Sequence, residues 1–548
     1  MKRGYRIAAM LVACVVIAVV AYFWATGLMD SLYAYRSPLQ DFPPEPGEAL
    51  GEPVSGRLVF VLIDGLRLDT SMKAEVMPYL NELRQMGAWG TMHSRPPSYS
   101  TPGYSVLFTG AWPQINDGPV MNLEYEEMPT WTQDNLVSAI HRAGLETGLS
   151  AYNWFEKLVP QEAVSAGFYT PGEDRLADRE VVDAALPWIA EGRLSFVFVH
   201  LDQVDYAGHH EGGARDPRWD EAANRSDALL REIAASLDFE RDTLFVCSDH
   251  GHIDRGGHGG HEQVVLLEPY VMVGAGVKPG KYGDIQMVDV APTLVALLGA
   301  NIPAASQGRV LVEMIDFSPE QLVRIQAAQE VQQTRLLTSF QNGTGLALTI
   351  AEGGDLVATH QAALEAGYQQ MVDAEKRSRA MLAGFVVLLP VSALYRKRGR
   401  VVGIALIVAL VYVALFNLRY AILDGFTYSL SSVIGANELI LYTAVTAAAA
   451  LLIAWLVGML LLKGFRQAPA QAAETSLGLA WMILFILSLP VLLNFAINGI
   501  FVGRTLPEFA SSFLGFQSLV QILFVALLAI PLSGVAALVA AWQAKKAR

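Results

Sequence analysis

The chain is 548 residues long, 53% hydrophobic and only 17% charged, with mean hydropathy +0.33 and net charge −14. Soluble domains carry about 25% charged residues, so the composition excludes a disordered chain and argues against a wholly soluble one. The charge is uneven: residues 1–29 hold Lys2, Arg3 and Arg6 against no acid, residues 381–548 hold 11 bases against 4 acids, and the stretch between carries −24. So acidic a middle argues against nucleic-acid binding, which needs clustered Lys and Arg to neutralise phosphates.

The first apolar segment runs from Ile7 to about Leu28, long enough for one membrane span. No small-x-small exit follows it, so an uncleaved anchor over residues 1–29 is expected rather than a signal peptide. Leu11-Val12-Ala13-Cys14 looks like a lipoprotein processing site, but the chain stays apolar beyond Cys14. Residues 30–56 contain Pro38, Pro43, Pro44, Pro46 and Pro53 among acids and read as an extended linker.

Between 57 and 315 strand-like runs alternate with helical stretches. The runs are Leu58–Ile63, Phe196–Leu201, Leu244–Cys247 and Tyr270–Val273; the helical stretches include 75–86, 178–191 and 219–237. This alternation predicts an α/β domain, a mostly parallel sheet sandwiched by helices, with ligands beyond the carboxyl ends of the strands. Residues 316–379, rich in Ala, Gln, Glu and Leu, predict a helical stalk.

Five more apolar runs follow, at 380–395, 401–422, 437–462, 477–501 and 517–541, giving a five-span domain over 380–548 and six spans in all. Arg396, Lys397, Arg398 and Arg400, then Lys463 and Arg466, then Lys545, Lys546 and Arg548, alternate with base-poor loops. By the positive-inside rule both termini lie in the cytoplasm and residues 30–375 lie outside, as in a bacterial-type cell membrane. Cys14 and Cys247 sit in segments that do not meet, so no disulfide is expected.

The strand ends carry the chemistry. Leu58–Ile63 runs into Asp64, Phe196–Leu201 into Asp202, Asp205 and His209, and Leu244–Cys247 into Ser248, Asp249 and His250. Seven of the ten histidines lie between His200 and His261, and Gly256-Gly257-His258-Gly259-Gly260-His261 is flexible enough to fold back. One Asp at a strand end is commonly a helix cap. Three strand ends delivering carboxylate or imidazole to one edge need a positive partner, and a metal provides it. His with Asp suits Zn2+, with Mn2+ less typical. His209/His210 and His258/His261 are adjacent alternatives. A hydroxyl at Ser100 or Thr101, before a helix start, reads alone as an N-cap; beside metals it reads as a nucleophile.

At these residues the chain resembles the alkaline phosphatase superfamily, and most closely its type I phosphodiesterase/nucleotide pyrophosphatase and GPI ethanolamine phosphate transferase branch. The likeness rests on Ile63-Asp64-Gly65-Leu66-Arg67, Gly87-Ala88-Trp89-Gly90 leading to His93-Ser94-Arg95, and Ser100 through Gly110. It continues through Asp205 to His209, Ser248 to Gly251, His258 and Val288-Asp289-Val290-Ala291-Pro292-Thr293. The resemblance implies an alkaline phosphatase-like domain over 57–315 and two divalent metals. Asp205, His209 and His258 would hold one; Asp64, Asp249, His250 and the Ser100 hydroxyl would hold the other. Counting back from Gly110 selects Ser100, with Thr101 the runner-up. Arg67, Asn153 and His261 are candidate substrate contacts.

Tyr104 stands where sulfatases need an arginine, which argues against sulfatase chemistry, and the arginine of alkaline phosphatases has no assignable match, which tilts the substrate toward a diester. The expected activity is a membrane-anchored phosphoesterase cleaving phosphodiester bonds, such as those of phospholipid head groups, through a phospho-serine intermediate. The alternative is a phosphoethanolamine-type transferase to a lipid or glycan acceptor. A transporter or assembly protein with an inactive exterior domain is the remaining class. Its weakness is the scarcity of ionisable residues within the spans.

Overall fold

The computed structural model describes residues 2–351, 356–396, 399–433 and 435–546. Lys397, Arg398 and Arg548, counted above among the basic clusters, lie outside the described residues, as do 352–355 of the expected stalk. The chain divides into two compact units. One holds residues 1–32, 372–503 and 507–548; the other holds 33–371 and 504–506.

The larger unit is built on a nine-stranded sheet. Its strands are β1 (Arg57–Ile63), β2 (Ala88–His93), β3 (Thr147–Tyr152), β4 (Ala166–Thr170), β5 (Phe196–Leu201), β6 (Asp242–Cys247), β7 (Leu267–Gly274), β8 (Gly280–Lys281) and β9 (Ile285–Gln286). The order is β4-β3-β5-β1-β6-β7-β2-β8, with β9 also paired to β2. β4, β3, β5, β1 and β6 run parallel, and β7 is antiparallel to both β6 and β2. The mostly parallel sheet is as expected. The turned strand is β7, whose apolar run carries no mark of direction.

β1 shows why the sequence makes this architecture. All of Leu58–Ile63 is buried. Leu58, Phe60 and Leu62 face a core shared with helices Ser100–Thr109, Leu136–Arg142 and Val290–Leu297. Val59, Val61 and Ile63 face a second core with helices Pro78–Met86, Arg175–Glu191 and Pro217–Ala234. A strand covered on both faces needs an unbroken apolar run rather than alternation.

Residues 34–56 contribute more than reach: Leu39 and Leu50 are buried. Helix Pro319–Thr344 opens with a Ser318/Gln321 capping box and a proline in its first turn. It buries Leu336, Leu337 and Phe340 with Leu39, Ala111 and Ile115. This part of the expected stalk is therefore packed along one face inside the larger unit.

Among the described residues, six helices are long and apolar enough to cross a membrane: Arg3–Tyr33, Val357–Arg396, Arg400–Leu423, Asn437–Leu461, Pro469–Asn498 and Phe509–Lys546. The second joins two helices, Leu356–Ala374 and Lys376–Arg396, and the expected apolar run at 380–395 lies in the later one. Small residues such as Ala447, Ala450, Ala454, Ala472 and Ala480 fill the core of the other unit, letting helix backbones approach. Cys14 and Cys247 are both free and buried.

Candidate metal centre and nucleophile

The three central strands end side by side. β1 delivers Asp64, β5 leads into helix Gln203–His210 carrying Asp205 and His209, and β6 delivers Asp249 and His250. Ser100 is the first residue of helix Ser100–Thr109, which is buried throughout. Gly103, one turn on, lies against Asp249: a Cβ there would sit 3.0 Å from the Asp249 Cβ.

Three of these groups converge on one atom of a fourth. His250 Nε2 lies 3.3 Å from Asp64 Oδ1, 3.4 Å from Asp249 Oδ2 and 3.3 Å from Ser100 Oγ. Tetrahedral donors about 2.0–2.2 Å from a zinc ion stand about 3.3–3.6 Å apart, so this spacing fits a cation. Asp64 Oδ1 and Asp249 Oδ2 are buried with no hydrogen-bond partner. Their other oxygens are tied: Asp249 Oδ1 accepts from Gly65 N–H at 3.3 Å, and Asp64 Oδ2 accepts from the Tyr104 hydroxyl and pairs with His200 Nε2 at 2.9 Å. Each carboxylate thus has one oxygen held by protein and one left bare toward His250.

Beside this set, His209 Nε2 lies 3.5 Å from Asp205 Oδ2 and 2.9 Å from His258 Nε2, and His258 Nε2 lies 3.6 Å from Asp205 Oδ1. The ring hydrogens follow from backbone partners. His258 Nδ1 meets the Ser98 carbonyl at 3.0 Å and His250 Nδ1 meets the Gly251 carbonyl at 3.3 Å, so both donate from Nδ1 and keep Nε2 bare. His252 also enters the cluster, with Nε2 2.7 Å from Asp205 Oδ1.

The electrostatics point the same way. Burial, then Asp64 and Asp205, pushes Asp249 well above the usual carboxylate range, and burial with the same neighbours raises Asp202. Burial also works to raise Asp205, but His209 and the His252 hydrogen bond outweigh it and hold it well below. Burial pushes His250 down to about 3 and His258 well down, so both imidazoles are neutral. Buried carboxylates facing neutral imidazoles leave a negative site that a divalent cation would balance.

The other residues singled out in the sequence fall as follows. Thr101 Oγ1 is spent on the Met121 carbonyl and on Asn122 Oδ1, each at 3.0 Å, while Ser100 Oγ faces His250. His210 packs on Tyr206, with ring centroids 4.7 Å apart. His261 is exposed. The Arg67 guanidinium is bonded to Asp69 and Asp254. Asn153 follows β3, and its Oδ1 is buried without a hydrogen-bond partner.

Three polar residues of the cluster escape a reading of motifs alone. His200 interrupts the apolar run Phe196–Leu201, a buried imidazole that must find a partner. Tyr104 is four residues beyond Ser100 and so shares its helix face, a spacing visible in the sequence. His252 lies within a recognisable motif, but its partner Asp205 is 47 residues away.

Residues 58–316 match the family model "Type I phosphodiesterase / nucleotide pyrophosphatase". That stretch is similar to this family. Among curated relatives, the human GPI ethanolamine phosphate transferase 2 catalytic subunit is 28% identical over 326 residues, covering 54% of this chain and 32% of the relative. GPI ethanolamine phosphate transferase 2 of Kluyveromyces lactis is 25% identical, covering 53% and 41%. The matches thus span 32% and 41% of the length of these relatives. Among solved structures, human ectonucleotide pyrophosphatase/phosphodiesterase 5 aligns with TM-score 0.38 and 12% identity, covering 44% of this chain and 95% of that one. An alkaline phosphatase superfamily protein from Vibrio parahaemolyticus aligns with TM-score 0.38 and 16% identity, covering 52% and 78%.

Proposed function

We propose that this chain is a membrane-anchored, metal-dependent phosphoesterase that cleaves phosphodiester bonds with Ser100 as nucleophile. The observation that carries the reading is the convergence of Ser100 Oγ, Asp64 Oδ1 and Asp249 Oδ2 on His250 Nε2 at 3.3–3.4 Å. Asp64, Asp249, His250 and Ser100 would hold one divalent ion; Asp205, His209 and His258 would hold a second. Zn2+ matches this donor set best, with Mn2+ the alternative. Bound there, the ions would lower the pKa of the serine hydroxyl and neutralise charge on the oxygens around phosphorus.

The protein's own groups set the path. Ser100 stands at a helix N-terminus, where backbone N–H groups favour the arriving phosphate. Ser100 releases its proton to solvent, its Oγ bonds to phosphorus, and the bond to the leaving alkoxide breaks, that oxygen taking a proton from water. Attack by water on the phospho-serine then restores the hydroxyl and releases the phosphorylated head group. Attack by an acceptor hydroxyl instead would make the enzyme a phosphoethanolamine-type transferase.

Two observations favour the transferase variant. Curated relatives are GPI ethanolamine phosphate transferases by name. At the carboxyl end of β3 the Tyr152 and Trp154 rings stand edge to face at 5.0 Å. Burial, then Glu173, which hydrogen-bonds it, and Asp202 push the Tyr152 hydroxyl up. Aromatic faces with carboxylates suit an ammonium head group. By the same reading the substrate is lipid-linked, residues 30–375 lie outside the cell membrane, and the basic loops and termini lie in the cytoplasm.

The test uses full-length protein in detergent with zinc supplied. Rates on a nitrophenyl phosphate diester and the matching monoester are compared, with and without chelator. Chelator-sensitive diester cleavage is expected. Cleavage of the monoester alone would move the protein to a phosphatase, and metal binding without either cleavage would favour obligatory transfer. Absence of both cleavage and metal would overturn the proposal and leave an inactive domain. Faster turnover of ethanolamine than glycerol head groups would support the ammonium reading.

A further inference from the structure

One buried imidazole at the cluster has no part in that reaction. His252 is fully buried, and its ring occupies a slot made by two glycines that each adjoin a candidate ligand. A Cβ on Gly65, next to Asp64, would come within 2.9 Å of the ring, and one on Gly208, next to His209, within 2.3 Å. A third side walls the slot: the Trp219 ring stands edge-on at 5.3 Å, itself pinned by a 3.0 Å hydrogen bond from its Nε1 to Thr70 Oγ1.

The proton on this ring is placed by the backbone. The Gly257 N–H, which can only donate, points at His252 Nδ1 at 3.0 Å. Nδ1 therefore carries the lone pair, the neutral ring carries its proton on Nε2, and Nε2 donates to Asp205 Oδ1 at 2.7 Å. His250 and His258 are the reverse, giving Nδ1–H to carbonyls and keeping Nε2 bare. One cluster thus holds two kinds of histidine, sorted by whether a carbonyl or an N–H faces Nδ1.

We infer that His252 is a positioning residue: its Nε2–H holds Asp205 Oδ1 so that the carboxylate is set against His209 and His258. The inference rests on the metal-centre reading above and goes beyond it. It assigns the 2.7 Å contact as a hydrogen bond to a ligand rather than as metal ligation by His252, although His252 lies within the same donor cluster as Asp205, His250 and His258. A hydrogen bond of this kind fixes a carboxylate's rotation and typically contributes about 10–100-fold in metal affinity.

The experiment is a cobalt(II) titration of full-length protein in detergent, followed by visible absorption, which reads affinity and ligand set without turnover. His252→Met keeps bulk and removes the donor, His252→Gln returns an N–H at similar reach, and His252→Asn supplies an amide too short to meet Asp205. Wild-type protein should bind two equivalents. His252→Met and His252→Asn should bind one of them roughly 10–100-fold more weakly, with the absorption bands of the loaded protein unchanged. His252→Gln should return to within about 3-fold of wild type. If the Met variant does not fold, the Asn and Gln pair decides. Wild-type affinity in His252→Met or His252→Asn would overturn the inference. So would a Gln variant as weak as Asn with shifted bands, which would make His252 a ligand. A wild-type protein that binds no cobalt would instead overturn the metal-centre reading on which the inference stands.

Discussion

Tyr104→Phe is the most informative single perturbation of the Ser100 side of the site. The Tyr104 hydroxyl donates to Asp64 Oδ2, and His200 Nε2 lies 2.9 Å from the same oxygen. Asp64 Oδ1 is the bare oxygen facing His250 at 3.3 Å. Removing the hydroxyl leaves the ring in place: it packs on Phe155 at 4.5 Å and on His200 at 5.4 Å, and Tyr104 is 1% exposed. The fold should therefore survive. A hydrogen bond to a charged group contributes about 1.5–3 kcal/mol, and each 1.4 kcal/mol is about tenfold. The retained His200 contact puts the expected effect near the lower end, about tenfold. The assay is kcat/KM on a phosphate diester at several zinc concentrations. The loss should shrink as zinc rises, because the defect is in holding Asp64 for the metal. A variant within twofold of wild type at limiting zinc would refute the reasoning. So would a loss that zinc does not move.

Further outcomes follow from the same geometry. Ser100→Ala should bind zinc within about tenfold of wild type yet lose diester turnover by at least about 10^3-fold; retained turnover there with loss in Thr101→Ala would mean that the other hydroxyl is the nucleophile. Gly103→Ala drives a Cβ to 3.0 Å from the Asp249 Cβ and should cost about 1–3 kcal/mol, read as a lower thermal midpoint, with weakened zinc binding. Burial pushes Asp178 up to about 6, despite the N–H groups of Asp202 and Gln203 that bond it. Because the folded value lies above the ordinary one, the stability Asp178 contributes is full below about pH 4 and fades as pH rises through about 6. The swing is about 3 kcal/mol. The midpoint difference between wild type and Asp178→Asn should therefore shrink in favour of the variant from pH 4 to pH 7, and a constant difference would contradict the shift.

Much of the fold was legible because it depends on composition over short windows. Runs such as Leu58–Ile63 and Phe196–Leu201 are apolar without a break, which only a strand covered on both faces requires. The six long apolar helices are visible for a similar reason: hydrocarbon demands about 20 apolar residues in a row. β2, β3 and β4 were not legible, because Ala88–His93, Thr147–Tyr152 and Ala166–Thr170 mix small and polar residues and become strands by pairing with a sheet already formed. Nor was the direction of β7, since an apolar run reads the same either way.

At the site, the sequence by itself determined which chemical groups arrive at the sheet's edge. An Asp, or an Asp-His pair, directly after an apolar strand can only emerge at that strand's carboxyl end, so Asp64, Asp205 and Asp249 were committed to one edge once the strands were parallel. Tertiary structure decided which oxygen or nitrogen of each group is bare. Asp249 Oδ1 is claimed by Gly65 N–H, Asp64 Oδ2 by Tyr104, and His252 Nδ1 by Gly257 N–H. It likewise decided that Arg67 is spent on Asp69 and Asp254 and Thr101 on Asn122, leaving Ser100 facing His250. The physical reason is that a side chain's available atom is set by whichever donor or acceptor lies against it. Between Gly65 and Asp249 that partner is 184 residues away along the chain, beyond the reach of any local pattern.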